Sequence, residues 1–126
     1  MVAQTELSEA EIDRVFHALA TSTRRDILRR TIEQEQSVSA LAADYDMSFA
    51  AVQKHVAVLE AAHLIIKRAE GRERLVRADP EMIARARALL ARYEDLWRAR
   101  IARLDDLLAD ASTGSASDHT GSAGEN

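Results

Sequence analysis

Two adjacent polar residues, Gln53 and Lys54, are groups that could read a nucleic acid. The amide of a glutamine can make paired hydrogen bonds to adenine, and the ammonium of a lysine can reach guanine acceptors or a phosphate. Ser48, shortly before them, is a residue type that caps helices, and a helix starting there would offer backbone N–H groups to a phosphate. The chemistry of this stretch is recognition through hydrogen bonds and charge.

The positions around these residues predict a helix with one buried face and one exposed face. Val52, Val56 and Leu59 are spaced by four and three residues, which places them on one side of a helix. The major groove of DNA is wide enough for one helix. The side of that helix that faces the bases must carry polar or small residues. Phe49 fits core packing as well as contact with a thymine methyl, and His55 fits the helix edge as well as a phosphate. The predicted DNA contacts of this helix are Ser48, Phe49, Ala50, Gln53, Lys54 and His55.

A basic hairpin is predicted directly after this helix. The run from Leu64 to Ile66 has strand character, and Glu70-Gly71-Arg72 supplies a turn before a return strand that ends at Ala78. Cationic side chains on such a hairpin are suited to backbone phosphates or to an adjacent minor groove. The residues predicted to make these contacts are Lys67, Arg68, Arg72 and Arg74.

Three short helices precede this helix, and one long helix follows the hairpin. The residues that can cap the short helices are Ser8, Thr21 or Ser22, and Ser37. The pair Asp79-Pro80 is a strong start for the last helix, which extends to about Leu108. This order predicts a mainly α fold with a small β-hairpin, namely a winged helix-turn-helix with a long terminal helix for dimerisation.

Composition divides the chain into a flexible N-terminus, one folded domain and a tail. The helical and strand patterns fall within residues 8–110, whereas residues 1–7 precede the first capping residue. Small and polar residues dominate the segment 111–126, which has no apolar face to bury. We expect a disordered tail there.

The long terminal helix predicts self-association. Its apolar residues recur at a nearly heptad spacing up to the end of the helix, and one small domain cannot bury them all. We therefore expect a homodimer whose interface includes Leu90, Tyr93, Trp97, Ile101, Leu104 and Leu108. Interface packing is favoured over a ligand pocket for the two aromatic residues of this set. Arg24 and Arg25, on the second helix, are expected to be helix-face charges, with contact to a phosphate as the alternative.

Composition also excludes several classes of function. The chain of 126 residues has no cysteine, which excludes disulfides, thiolate metal sites and cysteine nucleophiles. It has no phosphate-cradling glycine loop, nucleophile elbow or closely spaced histidine pair, so we expect neither an enzyme nor a cofactor.

No apolar run reaches the roughly 18 residues of a membrane span, and a cytoplasmic protein without membrane contact is expected. The net charge is −4, yet basic residues cluster from Lys54 to Arg77, which favours double-stranded DNA as partner.

Three stretches resemble the arsenic-repressor (ArsR/SmtB) family of bacterial winged-helix repressors. They are FHALATSTRRDIL, SVSALAADYDMSFAAVQKHVAVLEAAHLI and IKRAEGRERLVRADP, and the resemblance covers the chain from about Ile12 to Leu108. It implies a homodimeric repressor that binds a palindromic operator and is released by a signal. It also implies that the first and last helices form the dimer interface, which adds Ile12 and Phe16 to that interface.

The chain departs from the metal-sensing members of this family. The stretch that matches their cysteine ligands is Ala40-Leu41-Ala42, and the last helix up to Leu108 has no histidine. No metal site is therefore expected, and any inducer would be an unidentified small molecule. His63 stands where the family usually has a glycine, at a position that calls for a left-handed backbone.

Two further functions stay open at the level of the sequence. One is a sensor of the same fold whose release from DNA is controlled by a small organic molecule or a weakly held metal. The other is a winged-helix protein-interaction module that does not bind DNA. The clustered positive charge argues against the second, because such a module has no need of it.

Overall fold

The computed structural model describes residues 6–124 of the chain. In chain order the elements are α1 (Glu9–Ala18), α2 (Ser22–Glu33), β1 (Gln36–Ser37), α3 (Val38–Ala43), α4 (Phe49–Ala61), β2 (Ile65–Glu70), β3 (Glu73–Ala78) and α5 (Pro80–Gly124). The predicted mainly α fold with a small β-hairpin and a long last helix is confirmed. The strand β1 is an addition that the sequence patterns did not predict.

The two ends of the chain can be compared with the predicted domain boundaries. Most of the segment 1–7 lies outside the described residues, but Leu7 packs into the core. Helix α5 continues to Gly124, into the segment 111–126 that was predicted as a tail, and residues 125 and 126 lie outside the described part. Within the described residues, no helix is both long and apolar enough to cross a membrane.

Four helices begin at a serine or threonine that caps the backbone. The side-chain oxygens of Ser8, Thr21, Ser37 and Ser48 accept hydrogen bonds from the N–H groups of Glu11, Arg24, Ala40 and Ala51 at 3.0–3.2 Å. Each bond satisfies one of the N–H groups that a helix start leaves without a partner, and such a cap contributes about 1 kcal/mol. These caps confirm the predicted helix starts, including that of α4.

The core lies where α2, α3 and α4 meet the sheet. The largest fully buried side chains are Ile27, Leu41, Val52, Val56, Leu59, Leu64, Ile65 and Val76. Burial of each such aliphatic side chain contributes about 1.5–3 kcal/mol. The buried positions of Val52, Val56 and Leu59 confirm the predicted inward face of α4, and that face fixes which side of the helix is left to solvent.

The three strands form an antiparallel sheet in the order β1-β3-β2. In its register Lys67 pairs with Val76 and Ala69 pairs with Arg74. Because paired residues share a face and successive residues alternate, Lys67 and Arg74 lie on the same face as the buried Val76. Arg68 lies on the opposite face.

The chain divides after Leu89 into two compact units. The first contains α1 to β3 and the beginning of α5. The second, from Leu90 onward, consists of the remainder of α5.

Candidate nucleic-acid interface

Helix α4 presents a polar and small-residue face that the fold leaves free. Ala50, Gln53, Lys54 and Ala57 are all exposed on it. Among the described residues, neither Gln53 nor Lys54 takes part in a side-chain hydrogen bond or an ion pair. The two alanines are small enough to allow close approach to a base edge, and an alanine methyl can contact a thymine methyl. The structure therefore brings together the residues predicted on this helix.

Phe49 is the first residue of α4 and is 46% exposed. Of the two roles that the sequence left open, packing in the core is not observed, and contact with a thymine methyl stays a prediction. Its ring lies at the N-terminal end of the helix, next to Ser48, where a phosphate or a thymine methyl would be in reach of a docked helix.

His55 is held by a buried arginine, and this contact was not predicted. The Nη1 group of Arg24 lies 3.2 Å from Nδ1 of His55. A guanidinium can only donate, so Nδ1 must be the acceptor and the ring proton must be on Nε2. Burial, and then the charge of Arg24, hold the pKa of His55 below its usual value. The half-buried His55 is therefore a neutral ring whose Nε2–H remains the donor.

Arg24 joins three helices through its guanidinium. Its Nε donates to the carbonyl of Ala18 and its Nη2 donates to the carbonyl of His17, both at 2.8 Å, so it caps the end of α1. The residue is only 7% exposed although it carries a full charge. The interpretation of Arg24 as a helix-face charge is wrong. The position of Arg24 in the helical repeat could have indicated its burial, because Arg24 lies three residues before the buried Ile27 and therefore on the same side of α2.

The four basic residues predicted to contact DNA from the hairpin fall into two groups. Arg68 donates to both carboxylate oxygens of Glu35, at 3.0 and 2.9 Å, and Lys67 lies 3.5 Å from Glu60. Arg72 and Arg74 have no ion pair within the described part of the chain. Of the four residues predicted to contact DNA from the hairpin, Arg72 and Arg74 are therefore free for phosphates, whereas Arg68 would first have to leave Glu35.

The turn from α4 into the hairpin has a left-handed residue. His63 has φ +61°, as expected for a position where the resembling family has glycine. Its N–H donates to the carbonyl of Glu60 at 2.9 Å, and the N–H of Leu64 donates to that of Leu59 at 3.1 Å. This pair of bonds is the Schellman motif, which ends a helix and satisfies its last carbonyls. It fixes the direction in which the chain leaves the end of α4 and enters β2.

The residues predicted for a dimer interface are exposed, with one exception. Ile12 is buried in the core of its own protomer, so it offers no surface to a second copy. Phe16 on α1 is exposed in the first unit. In the second unit, the exposed apolar residues are Leu90, Tyr93, Leu96, Trp97, Ile101, Leu104, Leu107 and Leu108.

Among the described residues, no group of three or more histidine and carboxylate side chains could hold a metal ion.

No protein-family model matches the chain, but related proteins are clear. An HTH-type transcriptional regulator of Mycobacterium tuberculosis is 38% identical over 81 residues, which are 64% of this chain and 76% of that protein. An ArsR-like transcriptional regulator from Rhodococcus sp. RHA1 is 33% identical in a solved structure, with a TM-score of 0.68 over 78% of this chain and 92% of that chain. The chain belongs to the ArsR family of transcriptional regulators. The resemblance drawn from the sequence is thereby confirmed.

Another ArsR-related structure bears on the architecture of this regulator. The homodimeric winged helix-turn-helix DNA-binding domain of a possible ArsR-family regulator from Mycobacterium bovis is 29% identical, with a TM-score of 0.56 over 68% of this chain and 80% of that one. The winged helix-turn-helix predicted for this ArsR-family chain is the fold of these relatives. ArsR-family proteins are transcriptional regulators rather than enzymes, so the prediction that this chain is not an enzyme is confirmed.

Proposed function

We propose that this ArsR-family regulator is a homodimeric repressor that binds a palindromic operator in double-stranded DNA. The observation that carries the proposal is the exposed face of α4. Gln53 and Lys54 have no side-chain partner there within the described residues, while the opposite face is locked into the core by Val52, Val56 and Leu59. A helix with this division is suited to the major groove.

Each side chain has a role in the proposed complex. Gln53 reads adenine through its amide, and Lys54 contacts guanine acceptors or a phosphate. The N–H groups at the start of α4, next to Ser48, and the Nε2–H of His55 bind phosphates. Arg72 and Arg74 add salt-dependent contacts from the hairpin.

The dimer is supported by the apolar residues of α5. They are exposed in the second unit at nearly heptad positions, which is typical of a helix that packs against another helix. The related domain from Mycobacterium bovis is described as homodimeric. Two copies of α4 would then reach successive major grooves about 34–36 Å apart, which requires a palindromic site. A dimer of this size on a promoter acts by occlusion, hence as a repressor, and it would act in the cytoplasm.

Fluorescence anisotropy across a salt series tests the proposal. The full chain is titrated into labelled DNA from upstream of its own gene and into a scrambled duplex of the same composition. We expect binding to the upstream DNA that is at least about 1,000-fold tighter than to the scrambled DNA. Equally weak binding to both duplexes would instead favour a winged helix that serves a protein partner.

Substitutions separate base contacts from phosphate contacts. Gln53→Ala should lower affinity for the operator and relax base preference at one position of each half-site, with a loss of about 1–3 kcal/mol. Arg72→Ala and Arg74→Ala should weaken binding to all sequences and lower the salt slope by about 1 for each phosphate that is no longer neutralised. Arg14→Ala, an exposed arginine on α1, is the matched control and should change neither quantity. A uniform loss on every duplex with Gln53→Ala would contradict its proposed role.

A further inference from the structure

A cavity of about 550 Å³ lies away from the exposed face of α4. It is bounded by the C-terminal end of α2, the end of β3 and the first turns of α5, all within the first unit. Its apolar wall includes Ile32, Ala78, Pro80 and Ile83. Small-ligand sites have volumes of about 300–1,000 Å³ and are mainly apolar with a few polar groups, and this cavity has both properties.

The polar groups of the cavity have an excess of positive charge. Arg77 and Arg87 line it, and neither has an ion-pair partner within the described residues. Glu35 also lines it, but its carboxylate already accepts two hydrogen bonds from Arg68. Those hydrogen bonds lower the pKa of Glu35, and the charge of Arg77 also helps to lower it. Three guanidinium groups, those of Arg68, Arg77 and Arg87, therefore face one carboxylate, and positive charge exceeds negative charge beside the apolar wall.

We propose that this cavity binds a small organic carboxylate. The apolar body of the ligand lies against Ile32, Pro80 and Ile83, and its carboxylate pairs with Arg77 and Arg87. A guanidinium matches a carboxylate with two parallel N–H···O bonds, which makes it the side chain best suited to hold such an anion. The exposure of Ile32, which is 55%, is accounted for by this role.

The cavity is placed to influence the hairpin. Arg77 belongs to β3, and Glu35 holds Arg68 of β2, so two of its lining residues connect directly to the two strands. A bound carboxylate adds negative charge at the base of the hairpin and competes with Glu35 for the positive charge there. We expect DNA affinity to fall when the cavity is occupied. This regulatory step rests on the proposed function, whereas the binding of the anion does not.

Isothermal titration calorimetry on the full chain without DNA tests the binding step. The probes are octanoate and 2-naphthoate, with 1-octanol and 2-naphthol as their neutral counterparts. We expect at least one anion to bind with an affinity at least about tenfold above that of its neutral counterpart. The double variant Arg77→Gln/Arg87→Gln should remove this preference. Ala84→Trp, which fills the cavity, should abolish binding of both forms, and Ala43→Trp, at an exposed position on α3, should not.

Several outcomes would overturn the proposal. They are the failure of both anions to bind, equal binding of anion and neutral counterpart, or undiminished binding by Ala84→Trp. Sedimentation velocity tests a different occupant of the cavity. If neither anion binds the wild-type chain and Ala84→Trp dissociates a dimer, a second copy of the chain covers the cavity and the proposal is wrong.

Anisotropy with operator DNA then tests the regulatory step. An anion that binds in calorimetry should lower DNA affinity by at least about fivefold. Unchanged affinity would refute the regulatory step alone. A chain that binds no DNA would refute the proposed function, and the calorimetry would still decide whether the cavity binds the anion.

Discussion

Replacement of Arg24 by methionine is the sharpest test of how α4 is held. The guanidinium donates to the carbonyls of Ala18 and His17 and to Nδ1 of His55. Methionine keeps much of the apolar stem and removes all of these donors. The change therefore isolates the hydrogen bonds from the packing, and its effect should appear both in stability and in the titration of His55.

The expected loss follows from the partners that remain. Ala18 is fully buried, so its carbonyl loses a donor that water cannot replace. A buried acceptor without a partner costs about 1–3 kcal/mol, whereas the carbonyl of the exposed His17 can be hydrated. With the missing bond to His55 added, we expect the free energy of unfolding to fall by about 2–3 kcal/mol. This corresponds to a decrease in Tm of roughly 8–12 °C for a domain of this size.

Urea denaturation of the wild-type chain, Arg24→Met and Arg25→Met measures this difference. Arg25 is exposed and donates only to the carbonyl of Leu19 among the described residues, so its replacement should cost less than about 0.5 kcal/mol. Equal losses for the two variants would refute the structural role assigned to Arg24.

Titration of His55 by NMR provides a readout that a general loss of packing would not give. Burial lowers the pKa of His55, and the charge of Arg24 lowers it further, so the pKa should rise in Arg24→Met but stay below its usual value. Because the folded pKa is depressed, unfolding takes up a proton. The contribution of His55 to stability is fully present above its unfolded pKa of about 6.5 and is lost as the pH falls from there through the folded pKa.

Three other predictions each concern a single residue. His63→Gly should raise the free energy of unfolding by about 0.5 kcal/mol, because relief of the positive φ outweighs the entropy of glycine; a loss in urea denaturation would mean that the imidazole itself stabilises the turn. The hydroxyl of Tyr45 donates to Asp26 and is the largest cause of the lowered pKa of that carboxyl. Stability from Asp26 is therefore present above its unfolded pKa of about 3.9 and lost as the pH falls through the folded pKa, so Tyr45→Phe should lose less stability on acidification than wild type; identical pH profiles would contradict this. In the proposed dimer Trp97 lies in the interface, where a buried tryptophan contributes about 2 kcal/mol or more. Trp97→Asp should therefore raise the Kd of that dimer by at least about 30-fold in sedimentation equilibrium, and Arg103→Asp should not.

The parts of the fold that the sequence predicted are those set by local chemistry. A capping serine acts on an N–H group three residues away, so Ser48 marks the start of α4 whatever surrounds it. The spacing of Val52, Val56 and Leu59 likewise fixes the inward side of the helix within one element. The exposed position of Gln53 follows from that spacing alone.

The parts that it did not predict depend on partners distant in the chain. Arg68 and Glu35 are 33 residues apart, and composition gives their charges without showing that they meet. The two residues of β1 are too few to give an alternating pattern, and only pairing with β3 makes them a strand. Ile12 fits a buried core position and a dimer interface equally well until the elements packed around it are known.

The anchoring of α4 explains how an acidic protein could present a specific surface to DNA. The cap at Ser48 fixes its start, Arg24 holds His55 near its middle, and the turn at His63 fixes its end. A helix held at three points loses little conformational entropy when it docks, so weak contacts from a few side chains can discriminate between sequences. For the approach to DNA, the net charge of −4 then matters less than the cations Lys54, Arg72 and Arg74, which have no ion pair within the described residues. At physiological salt the Debye length is about 8 Å, so the repulsion from acidic groups that lie farther away is largely screened.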